Sequence, residues 1–137
     1  VNTVAKPNPR KPVVVAVVVC DRAIREQETN KWSLIGIFSK IGVNSVPALH
    51  MGMAIYLAIT NLQEQTRLKL EIAPVNEGGE KLVIEGEIHA KSPLVVAEMV
   101  FRFPQFPVTT LGQHRIDVLW QGESIGSTKF DVEKSKP

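Results

Sequence analysis

The chain has 137 residues, 44% hydrophobic and 22% charged, with a formal net charge of +2 and one cysteine. That length suits one domain with a core that needs neither disulfides nor metal, and the composition excludes a disordered chain. The positive balance sits at the ends. From Val13 to Val132 there remain 11 basic and 13 acidic residues, so the body lacks the basic stripe of a nucleic-acid binder, and no apolar run reaches the 18 residues of a membrane span.

In chain order, "VNTVAKPNPRKP" holds three prolines and no apolar period. It reads as a flexible, Pro-rich basic arm over 1–12. The apolar run from Val13 to Cys20 follows Arg10 and Lys11, but it lacks a small-residue cleavage site and runs straight into Asp21 and Arg22. It therefore reads as the start of a strand, Val13 to Ile24, and not as a secretory leader. The lone Cys20 cannot form an internal disulfide, which predicts a buried, inert thiol in a cytoplasmic protein.

"REQETNK" is a polar connection with Asn30 at a left-handed turn position. The next strand is expected from Trp32 to Val43, broken near Gly42, and Pro47 separates it from a third strand, His50 to Thr60. Thr66 to Ala73 alternates cleanly, with Leu68, Leu70 and Ile72 opposed to Arg67, Lys69 and Glu71. A turn on Gly78-Gly79 leads to a strand in which Leu82, Ile84 and Ile88 oppose Lys81, Glu85, Glu87 and His89. Val95 to Phe103 points Ala97, Met99, Phe101 and Phe103 inward. "PQFPVTTLG" is expected to be a loop held open by Pro104 and Pro107. Ile116, Val118 and Trp120 then face the core, Gln121-Gly122 makes a two-residue hairpin turn, and Ser124 to Val132 closes a domain spanning 13–132 before a flexible tail at 133–137. No segment has the period of an amphipathic helix. The fold class is all-β, an antiparallel immunoglobulin-like β-sandwich of about seven to eight strands.

The stretch "VCDRAIREQETNKWSLIGIFSKI", through Cys20, Asp21, Arg22, Asn30, Ser33, Leu34, Ile35, Gly36, Ile37 and Phe38, resembles a family of small bacterial proteins of unassigned function. "FRFPQFPVTTLGQHRIDVLWQGESIG" is similar to that family too, and to the closing hairpin of many immunoglobulin-like domains. Val46 before Pro47 departs from the aromatic residue usual there. The resemblance implies a β-sandwich and brings no catalytic residues with it.

The chemistry-bearing residues are scattered. His50, His89 and His114 fall on three strands without ligand spacing, Glu85 and Glu87 read as a solvent face, and Glu77 and Glu80 form a weak acidic pair. No catalytic residue, cofactor or metal site is expected, and Asp21 and Arg22 read as turn and network residues.

The first third of the chain is apolar on both strand faces, unlike the later strands. Val13, Val15, Val17 and Val19 form one row, and Val14, Ala16, Val18 and Cys20 the other. Ile35, Ile37 and Ile41 oppose Trp32, Leu34 and Phe38. Met51, Met53, Ile55, Leu57 and Ile59 oppose Gly52, Ala54, Tyr56 and Ala58. A contiguous outer apolar patch marks an interaction site unless the chain covers it itself. Val14, Val18, Trp32, Leu34, Phe38 and Tyr56 are the candidate interaction residues. The expected function is a non-enzymatic interaction or structural module that binds a protein partner or forms a homo-oligomer, without nucleic acid or a membrane span. A β-domain binding a sugar or small apolar molecule is the alternative.

Overall fold

The computed structural model describes residues 11–76 and 80–135. Among the described residues nine strands form two sheets: β1 (Val13–Arg25), β2 (Trp32–Ile37), β3 (Lys40–Val43), β4 (Ala48–Thr60), β5 (Gln65–Pro74), β6 (Leu82–His89), β7 (Ala97–Val108), β8 (Gly112–Trp120) and β9 (Glu123–Lys134). The first sheet has the order β2-β1-β4-β7, and the second β3-β9-β8-β5-β6. All pairs are antiparallel except β3 with β9, which is parallel, so the expectation of a purely antiparallel sandwich is corrected. No described helix is long and apolar enough to cross a membrane.

Alternation builds the core. Ile55, Leu57 and Ile59 of β4, Leu68, Leu70 and Ile72 of β5, and Ile116 and Val118 of β8 are buried in one cluster with Phe130 and Val132 of β9. Phe130 lies in contact with Phe38, Phe106 and His114, with ring centroids 6.0, 6.1 and 5.2 Å away. The turn residues behave as their chemistry requires: Asn30 has φ 61°, and Gln121 and Gly122 have φ 49° and 80°, the signature of a two-residue hairpin turn.

Four expectations need correction. The segment from Trp32 to Val43 is two strands, parted at Phe38 and Ser39. There the chain leaves the first sheet, where the Phe38 amide donates to the Val19 carbonyl, and enters the second, where the Asp131 amide donates to the Ser39 carbonyl. Gly42 instead sits inside β3, paired with Glu133. The expected loop around Pro104 and Pro107 is the continuation of β7, paired through Val108 with Ala48. β7 is an edge strand, so a proline nitrogen on its open side forfeits no ladder bond. The third strand begins at Ala48, and its row flips at Gly52 (φ 81°), which leaves Met51 exposed and Met53 buried.

β9 continues beyond Val132, with Glu133 and Lys134 paired to Gly42 and Val43 and the Ser135 amide donating to the Val43 carbonyl. Most of the expected N-terminal arm, the turn on Gly78-Gly79 and the last two residues lie outside the described residues.

Candidate functional site: the outer face of the first sheet

In β4 the side chains of Met53, Ile55, Leu57 and Ile59 enter the inter-sheet core. Ala54 and Tyr56 therefore face the other way. On this outer face a second apolar cluster forms. Cys20, Ala23 and Ala54 are buried, and Trp32, Leu34 and Val100 pack against them. Val18 and Val100 flank Tyr56 on either side in register. Small residues make this possible, because Ala23 and Ala54 leave room for the Trp32 and Leu34 side chains to lie down on the sheet.

Polar groups are threaded through the cluster. The Cys20 thiol points at the carbonyls of Arg22 and Ala54, 3.4 and 3.6 Å away. Burial first, and the nearby Asp21 charge second, push its pKa up, which makes it a poor nucleophile. The Tyr56 hydroxyl donates to Glu98. Its pKa is pushed up to about 12, by burial first and then by that bond and the carboxylate charge. The guanidinium carbons of Arg25 and Arg102 lie 5.4 and 5.5 Å from the centroid of the Trp32 ring, within the range of cation–π attraction.

The cluster leads to an unprotected edge. Natural edge strands are blunted by charge, proline or shortness. β7 carries Pro104 and Pro107, β6 carries Glu85, Glu87 and His89, and β3 is four residues long. β2 reads "WSLIGI", without a charge or a proline, and it exposes Ile35 and Ile37, the latter 66% accessible.

A groove opens where β1 and β4 part. Their pairing ends at Cys20 and Ala54. Beyond it β1 runs with β2, while β4 runs on with β7. The backbone bends here on both sides, with Gly36 at φ 69° and Gly52 at φ 81°. A Cβ on Gly36 would lie 2.3 Å from Asp21 Oδ2, so the Asp21 side chain occupies the room that glycine leaves. The resulting cavity of about 220 Å³ is lined by Asp21, Arg22, Ala23, Ile24, Gly52, Met53, Ala54, Arg102, Phe103 and Pro104. Arg102 reaches over it and donates from Nη2 to the Ala23 carbonyl at 3.1 Å.

Val18, Trp32, Leu34 and Tyr56 thus share one face. Val14 and Phe38 do not join them: both pack against the inter-sheet core. A register shift between Val14 and Ala16 turns Val14 inward, where it abuts Gly126. Phe38 stands at the crossover between sheets, edge-on to His50 and Phe130. Sequence reasoning missed Arg25 and Arg102, which come from strands far apart in the chain. The uncharged edge around Gly36 was readable from "WSLIGI".

The histidines stay apart. His114 is buried in the core and stacks on Phe130, His50 packs on Phe38, and His89 is exposed beside Glu87 at 3.5 Å. Among the described residues no group of three His, Cys, Asp or Glu side chains is placed to hold a metal ion.

Residues 15–133 match the model of a family of unknown function, DUF6941, and the chain belongs to that family. No curated protein matches the chain.

Proposed function

We propose that this DUF6941 member is a non-enzymatic interaction module, which associates with itself or with a larger assembly through the outer apolar face of β1 and β2. The observation that carries the reading is the second apolar cluster beside an open edge strand, which has no charge or proline of its own and exposes Ile35 and Ile37. Each large aliphatic side chain left wet forfeits about 1.5–3 kcal/mol relative to burial, so covering this edge is favourable. The half-buried state of Trp32 and Leu34 supports a prepacked docking surface and not a loose one. The lone, buried Cys20 fits a cytoplasmic setting.

We also read the strand order as immunoglobulin-like. On this reading β1 takes the place of strand A, β4 of B, β7 of E, and β9, β8, β5 and β6 of G, F, C and C′. The crossing from β2 to β3, and the parallel pairing of β3 with β9, support it. β2 is then the surplus strand, added outside the usual set, and it carries the apolar edge.

The test is light scattering on the purified chain across a range of concentrations, with co-purification from the host in parallel. Ile37→Lys is expected to abolish association and to keep the native melting temperature, whereas Leu94→Lys, at an exposed position between β6 and β7 (90% accessible), is expected to change nothing. A chain that is monomeric throughout, and that loses no companion on Ile37→Lys, overturns the reading.

A further inference from the structure

We infer that the groove where β1 leaves β4 binds a carboxylate carried on an extended segment of the protein partner. The inference rests on the outer face being a protein-docking surface, and it names what one part of that surface recognises.

The first observation is an imbalance of charge. Four exposed cations sit in ion pairs: Lys11 with Glu123, Lys69 with Glu85, Lys81 with Glu71 and Arg115 with Asp117. Arg22, Arg25 and Arg102 are gathered in one region without such partners. Among the described residues none of them lies within ion-pair distance of a carboxylate. Arg22 and Arg102 line the groove, and Arg25 joins Arg102 over Trp32 at its rim. Asp21 lines the groove as well, but its carboxylate is turned to Gly36. Two guanidiniums line the groove against one carboxylate, and Arg25 adds a third cation close by over Trp32, which leaves the region cationic.

The second observation is the chemistry of the donors. A guanidinium offers five N–H groups in a planar fork matched to a carboxylate. One bond to the Ala23 carbonyl fixes Arg102 in place and leaves the rest of its fork available. Holding the arginine before the ligand arrives lowers the ordering cost of binding.

The third observation is the shape of the surroundings. Ala23, Ile24, Met53, Phe103 and Pro104 give the groove an apolar floor suited to the body of a side chain, with the cationic groups above it. Beyond Cys20, β1 is bonded to β2 on one side and has no strand on the other. An extended peptide laid there gains backbone bonds from a sheet edge, as in β-strand addition.

The probes are two acetylated pentapeptides, Thr-Val-Thr-Val-Glu with a free C-terminus and Thr-Val-Thr-Val-Gln as its amide, titrated calorimetrically into the full chain. The acidic peptide is expected to bind at least about tenfold more tightly, the size of one lost charge-assisted contact. Arg102→Gln and Arg22→Gln are each expected to remove most of that preference. Arg67→Gln, on the second sheet, is expected to keep it. Equal binding of the two peptides, no binding of either, or an unchanged preference in both groove variants overturns the inference. So does displacement by inorganic phosphate at the peptide's own concentration, since charge alone would then hold the ligand. Ile37→Lys separates the two readings. Loss of association with the peptide preference intact leaves both standing, and an association that survives Ile37→Lys overturns the edge reading alone. Failure of the peptide arm beside an association that Ile37→Lys abolishes overturns the carboxylate site alone.

Discussion

The two sheets share one core but present opposite outer faces. The second sheet carries ion pairs on its outer rows: Lys69 faces Glu85 across β5 and β6, Lys81 meets Glu71, and Arg115 meets Asp117 within β8 at 3.0 Å. Such exposed pairs add about 0–1 kcal/mol each, so this face gains solubility more than stability. The first sheet buries a cysteine and two alanines beside Trp32 and Leu34 and, among the described residues, pairs none of its arginines with a carboxylate. The difference teaches that one β-sandwich can assign separate tasks to its faces through the identity of every second residue, with the core between them unchanged.

Three measurements sharpen or break that comparison. The largest effect is expected from Trp32→Ala, which strips the lid of the second cluster. For a half-buried tryptophan the loss should reach about 2–3 kcal/mol in urea unfolding, while Lys69→Ala on the opposite face stays within about 0.5 kcal/mol. Equal losses would mean that the outer cluster adds no packing.

Next comes Gly36→Ala, expected to cost about 1–3 kcal/mol because φ is 69° and Asp21 fills the space a Cβ needs. Asp21→Ala in the same background should recover part of the loss.

The smallest effect is spectroscopic. The single tyrosine is expected to ionise near pH 12 in an ultraviolet titration, against about 10 for a free phenol. Glu98→Gln should lower that value only partway, because burial is the larger cause. The sign follows from linkage. A pKa raised on folding contributes stability that is fully present below pH 10 and fades as the pH climbs from about 10 to 12, and Glu98→Gln should narrow that window.

Much of this was legible in the sequence, and the missed parts share a cause. The charged rows of β5, β6 and β8 declare which way each strand faces, since lysine and glutamate do not enter a core unpaired. The apolar doubling of the first strands likewise announced an outer cluster: Trp32 and Leu34 fall in it, and Val18 and Tyr56 lie on the same face. Alternation counts residues, however, and is blind to a skipped one. The register shift beside Val15 moved Val14 inward, the flip at Gly52 exposed Met51, and the crossing at Ser39 carried Ile41 into the second sheet. Pro104 and Pro107 read as breakers because the edge position that tolerates them is a property of sheet order. The arginine groove joins residues 79 positions apart, a meeting that only the pairing of β4 with its two neighbours brings about.

The passage of the chain from β2 into β3 has a mechanical meaning. β3 lies parallel to the last strand, from Asp131 to Lys134, so a pull on the edge is handed through Ser39 to the far sheet. A pull along β2 at Ile35 or Ile37 is therefore shared between the two sheets. The exposed edge can serve as a handle because it is tied down at both ends.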